Sequence, residues 1–142
     1  MQNVRAVLED YCELQFVSEP AKVRDIVTRL LNFVDAYSPP LSVRSDLKLV
    51  FSELIYNAII HGNREDRSKR VRVWAKMQGD ILVAAVQDEG PGFNYRQIIE
   101  YAQTETALLN EYGRGMVLVC GLTDDLSFNE TGNVIIFEKR LR

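Results

Sequence analysis

The segment FSELIYNAIIHGN, residues 51–63, is apolar at helical spacing yet carries a carboxylate, an amide and an imidazole at four-residue intervals: Glu53, Asn57 and His61. At about 100° and 1.5 Å per residue, each four-residue step drifts only about 40° and climbs about 6 Å, so an α-helix lines all three along one face. A core-forming helix rarely places such groups together unless something must be gripped or deprotonated.

Working outward, the helix carrying this line is expected from about Ser42 to His61, with Leu47, Val50, Leu54, Ala58 and Ile59 on its apolar side and Gly62-Asn63 at its end. Upstream, Val23, Ile26, Val27, Leu30, Leu31 and Val34 recur at helical spacing between Ala21 and about Tyr37. Ser18, with Glu19 and Pro20 following, supplies a helix start, and Ser38-Pro39-Pro40 ends the helix because proline lacks an amide hydrogen and restrains its predecessor. Residues 12–17, CELQFV, read as a strand. Downstream of a charged connection at 64–69, VRVWAKMQ and ILVAAVQ flank Gly79-Asp80 as an antiparallel hairpin. A short helix from Met116 to Gly121 and a hairpin turning at Glu130-Thr131-Gly132 complete the pattern. Between Asp88 and Gly115 regularity loosens, with at most a short helix around 96–101, and such a long irregular segment is usually functional, often a lid.

The chain has 142 residues, 46% of them hydrophobic, which suits a single globular domain spanning 1–142. Its net charge of -3 and pI near 5.2 arise from mixed charges without a basic block, so direct nucleic-acid binding is not expected. Cys12 and Cys120 stand far apart and form no zinc-type spacing; they read as reduced, buried thiols. No apolar run reaches bilayer length and the N-terminal residues do not resemble a signal peptide, so no membrane association and a cytoplasmic location are expected.

Three constellations could carry chemistry: Glu53-x-x-x-Asn57 on a helix, Asp88-x-Gly90-x-Gly92 after a strand, and Gly113-Arg114-Gly115 before a helix. Each has a bland alternative. Asp-x-Gly-x-Gly is often only a turn, a Gly-x-Gly is weak by itself, and a buried Glu and Asn can simply pair with neighbours. Together they suggest a nucleotide site. Glycines let backbone approach a flat ring, Asp88 can accept a hydrogen bond from an exocyclic amine such as that of adenine, and an asparagine oxygen suits Mg²⁺ shared with phosphates. Glycines opening a helix would aim amides at phosphate, with Arg114 adding charge.

In this combination the chain resembles the GHKL, or Bergerat-fold, ATPases, and within them the small bacterial anti-sigma-factor serine/threonine kinases. The resemblance runs from the first helix to the last strand. Its N box reads Glu53-Leu54-Ile55-Tyr56-Asn57-Ala58, followed by His61-Gly62-Asn63; its G1 box Asp88-Glu89-Gly90-Pro91-Gly92-Phe93; its G2 box Gly113-Arg114-Gly115-Met116. It implies an α+β two-layer sandwich, with a mixed, mostly antiparallel sheet, helices on one face and a flexible ATP lid. It further implies Glu53 as general base, Asn57 as Mg²⁺ ligand, Asp88 as the adenine-reading carboxylate, Gly90 and Gly92 as the lid hinge, and Gly113, Arg114 and Gly115 as its phosphate-facing end.

The function implied is phosphorylation, with ATP and Mg²⁺, of a small STAS-type antagonist, and regulation of a sigma factor or similar target by partner switching. A non-catalytic ATP-binding switch is the alternative, and Glu53 favours the kinase. Relatives often work as dimers, so a homodimer is among the implied assemblies. Two positions depart from the family pattern: Gly132-Asn133-Val134 stands where many relatives have a threonine entering the last strand, and Met116 stands where leucine is common. His61 is expected to stabilise a helix end, Trp74 to be core, and Thr104, Glu105 and Thr106 to be solvated lid residues.

Overall fold

The protein is described by a computed structural model covering residues 10–92, 94, 97, 100 and 111–142. The expected helix around 96–101, the lid and Thr104 to Thr106 lie outside these residues, at least in part.

Five strands, β1 (Tyr11–Val17), β2 (Arg70–Gln78), β3 (Ile81–Gln87), β4 (Asp125–Phe128) and β5 (Val134–Arg140), form one sheet in the order β1-β2-β3-β5-β4. Every adjacent pair is antiparallel, so the sheet is wholly antiparallel among the described residues rather than mixed. The β2–β3 hairpin turns through Gly79, whose φ of 62° is one that a residue without Cβ adopts readily.

Three α-helices are described: α1 (Val23–Asp35), α2 (Leu41–Asn57) and α3 (Glu111–Leu122). The period-two alternation of the strands places Phe16, Val71, Val73, Ala75, Leu82, Ala84, Val86, Ile135 and Phe137 in the core with the apolar sides of the helices. Leu30 and Val34 of α1, and Leu47, Val50, Phe51 and Ile55 of α2, are fully buried in it. Phe51 and Phe137 meet edge to face, 5.3 Å between centroids, tying α2 to β5, an inner strand of the sheet.

Several expectations need correction. Ser18 does not cap α1: its hydroxyl is buried without a hydrogen bond, and a 3₁₀ turn at Pro20–Lys22 leads into the helix instead. Trp74 is not core. It lies half-buried on the opposite sheet face with the Arg72 guanidinium 5.2 Å from its ring centre, because its odd position in β2 turns it away from the helices. Cys12 and Cys120 are free but only half-buried. The last helix begins at Glu111, so Gly113 to Gly115 lie inside its first turns rather than ahead of it.

The largest difference concerns α2. It ends at Asn57 and continues as a π-helical turn, Ala58–Gly62, in which the Asn63 amide bonds the Ala58 carbonyl five residues back at 2.8 Å. The step from Asn57 to His61 is therefore not the α-helical one that the spacing suggests. His61 sits half-buried within this turn.

Candidate functional site

Asn57 ends α2 with its side chain 7% exposed. Its Nδ2 donates to the Met116 sulfur of α3 at 3.9 Å, and among the described residues its Oδ1 accepts no hydrogen bond. One turn earlier stands Glu53, half-buried, and Gly115 of α3 packs directly against its carboxylate. A Cβ built on Gly115 would lie 2.3 Å from Glu53 Oε2, so glycine lets the Glu53 carboxylate lie directly against the α3 backbone, and any side chain there would displace it.

Asp88 follows β3 and continues its alternation, which turns the side chain to the core face at the strand end. It is 3% exposed, and its Oδ1 accepts the Gly90 amide at 2.8 Å. Burial pushes its carboxyl up to about 6, against the opposing pull of the Gly90 amide and the Lys69 charge. The backbone of Gly62, from the π turn, lies against this carboxylate; a Cβ there would meet Oδ2 at 2.2 Å.

The loop after Asp88 is clamped at several points. Asn63, 1% exposed, accepts the Glu89 amide at 2.7 Å and donates to the Arg70 carbonyl at 3.0 Å. Arg64 and Glu65 follow in the left-handed region, with φ of 53° and 58°, and the Glu65 amide returns to the Ile59 carbonyl at 2.8 Å. Two successive non-glycine residues in that region store backbone strain beside the site. Gly90 abuts the Gly62 carbonyl, and Gly92, with φ of 88°, abuts the Thr131 carbonyl; a Cβ on either would come within 2.0 Å of that oxygen.

The structure thus groups Glu53, Asn57 and Gly115 at the α2–α3 contact, and Asp88, Gly90 and Gly92 at the end of β3, with the π turn joining the two. Gly113 is buried and the side chain of Arg114 is exposed. Sequence reading took Gly62 and Asn63 as a helix end and as the continuation of the N box, noted Asn133 only as a departure from the family pattern, and missed Lys69 and Asn129. A polar Asn after the helix and another at a strand entry were the available signals.

Chemically, a buried carboxylate between glycine backbones can accept from an aromatic amine, while an open amide oxygen one turn from a second carboxylate can join a hard cation to a proton acceptor. No group of three or more His, Cys, Asp or Glu is placed to hold a metal among the described residues. The amide oxygen of Asn57 is a hard donor of the type a divalent cation can share with phosphates and water. No helix of the described residues is long and apolar enough to cross a membrane.

Residues 16–139 match the family model of the histidine kinase-like ATPase domain. Anti-sigma F factor from Lysinibacillus sphaericus is 30% identical over 112 residues, 76% of this chain and 77% of that protein. Anti-sigma F factor from Clostridium acetobutylicum is 28% identical over 138 residues, 94% of this chain and 96% of that protein. Among solved structures, the RsbU and RsbW domains of Rv1364c from Mycobacterium tuberculosis share the fold with a TM-score of 0.64 at 14% identity; the match covers 92% of this chain and 32% of that one. The chain belongs to the histidine kinase-like (GHKL) ATPase family, among the relatives of the anti-sigma F factors.

Proposed function

We propose that this chain is a single-domain, ATP-dependent protein serine/threonine kinase of the anti-sigma type, with a STAS-type antagonist as its substrate. In this reading the antagonist and a sigma factor, or a comparable target, compete for the chain, and phosphorylation of the antagonist releases the chain to hold the target. Asp88 accepts from the adenine amine, and Gly90 and Gly92 let the backbone approach the ring. Asn57 holds Mg²⁺ together with the phosphates, and Gly113, Arg114 and Gly115 face them. Bound Mg²⁺ offsets phosphate charge. Glu53 takes the proton of the incoming hydroxyl as its oxygen bonds to the γ-phosphorus and the bond to ADP breaks.

The observation that carries the kinase reading is the carboxylate of Glu53, one turn from Asn57 and packed against Gly115. A module that only binds nucleotide needs no such group. With Mg-ATP and the STAS-type antagonist, the chain is expected to give an acid-stable phosphoserine or phosphothreonine. Glu53→Gln should slow transfer by at least about 100-fold while ATP affinity changes little. Unchanged transfer in the variant would remove Glu53 from the mechanism, and Mg²⁺-dependent binding without any transfer in the parent chain would favour a non-catalytic switch.

A further inference from the structure

The β3–β5 ladder ends unusually beside Asp88. Gln87 pairs with Val134, so the next opposed residues are Asp88 and Asn133. Two backbone hydrogen bonds would ordinarily join such a pair. Only one forms: the Asp88 amide donates to the Asn133 carbonyl at 3.0 Å. The Asn133 amide turns instead to Asn129 Oδ1 at 3.1 Å, and the Asp88 carbonyl accepts from the side chain of Asn133, Nδ2, at 3.2 Å.

Asn129 makes this exchange possible. Its Oδ1 also accepts the amides of Gly132 and Val134, at 2.8 and 3.1 Å, and its Nδ2 donates to Asn133 Oδ1 at 2.7 Å. The two side-chain amides are thereby oriented end to end, and the last of them holds the peptide carrying Asp88. The same turn touches the loop again where the Thr131 carbonyl abuts Gly92. On the other side, Gly62 and the Gly90 amide bound the carboxylate, and Lys69 is the cation that acts on it.

We propose that Asn133, oriented by Asn129, is a positioning residue for the nucleotide site: its side chain replaces a ladder hydrogen bond and so sets the direction in which the Asp88 carboxylate is presented. This rests on the reading of Asp88 as the acceptor for the adenine amine. Removing the side chain leaves the Asp88 carbonyl unpaired at a buried strand end and lets that peptide rotate. Alanine at Asn129 has the same consequence at one remove, so the two losses do not add.

The test uses the full chain with adenosine, which carries no phosphate to titrate near neutrality. Asn133→Ala and Asn129→Ala are each expected to weaken adenosine binding about five- to twentyfold, and the double variant no further than the worse single one. Leu126→Ala loosens the same hairpin without reaching Asp88 and provides the stability control; its affinity should stay within about twofold. A second readout needs no ligand: the carboxyl carbon of Asp88, followed by NMR against pH, should titrate with a shifted midpoint in Asn133→Ala and an unshifted one in Leu126→Ala. Wild-type titration in Asn133→Ala overturns the positioning role, whether or not adenosine binds. Should the parent chain or Asp88→Asn show that adenosine binding does not depend on Asp88, the adenine reading fails, and the NMR midpoint alone decides the role of Asn133.

Discussion

The environment of Asp88 makes pH a direct probe of the site. Its folded-state carboxyl titrates near 6, above the unfolded value of 3.8. Between these values the unfolded chain ionises while the folded one keeps its proton, so protonation contributes stability below 3.8 that is lost as pH rises through 6. Asp88→Asn should therefore stabilise the nucleotide-free chain at pH 7, by about 1–2 kcal/mol, and flatten its stability between pH 4 and about 6, as read from urea unfolding. Nucleoside binding responds in the opposite sense, because the acceptor role proposed for Asp88 needs the ionised form. Adenosine affinity should fall towards tenfold per pH unit below about 6; a flat profile would count against Asp88 as the acceptor.

At the scale of elements, the π turn at Ala58–Gly62 is what brings α2 to the end of β3. It delivers Gly62 against the Asp88 carboxylate and Asn63 to the Glu89 amide, and the strained Arg64-Glu65 pair holds the chain in that path. Deleting Ile60 should convert the turn to α-helix and rotate Gly62 and Asn63 out of place. Helix content by circular dichroism is then preserved while adenosine affinity drops more than about tenfold; retained affinity would show that the turn does not position the site. The sequence pattern located the helix and its apolar side correctly, since Leu47, Val50, Leu54, Ala58 and Ile59 are all buried. It could not show the π turn, because hydrophobic spacing over five residues does not separate an i→i+4 from an i→i+5 turn.

For the whole molecule, Phe51 and Phe137 join the helical layer to the central strands, and both are fully buried. Phe51→Ala should cost about 3–5 kcal/mol and lower the melting temperature of the entire chain in one transition. The layer it anchors is also the one that carries Glu53 and Asn57, so saturating Mg-ATP should restore part of the loss by binding the folded state alone. Two separated melting transitions would contradict the expectation of a single domain.

Local pattern decided most of the architecture of this chain: strand alternation, two amphipathic helices and the Gly79-Asp80 hairpin; it also singled out Glu53, Asn57, Asp88, Gly90, Gly92 and Gly115, the residues proposed for the site. Those features follow from side-chain period and from chemistry that residues near in sequence carry themselves. Tertiary structure alone decided how closely Gly115 approaches the Glu53 carboxylate, why the Asp88 carboxyl titrates near 6, and how Gly62, Asn63 and Asn133 serve the same loop. Each of these depends on contacts between residues distant in the chain, such as Glu53 with Gly115 or Asn133 with Asp88. A spacing rule reads one element at a time, whereas burial and close approach exist only once two elements meet.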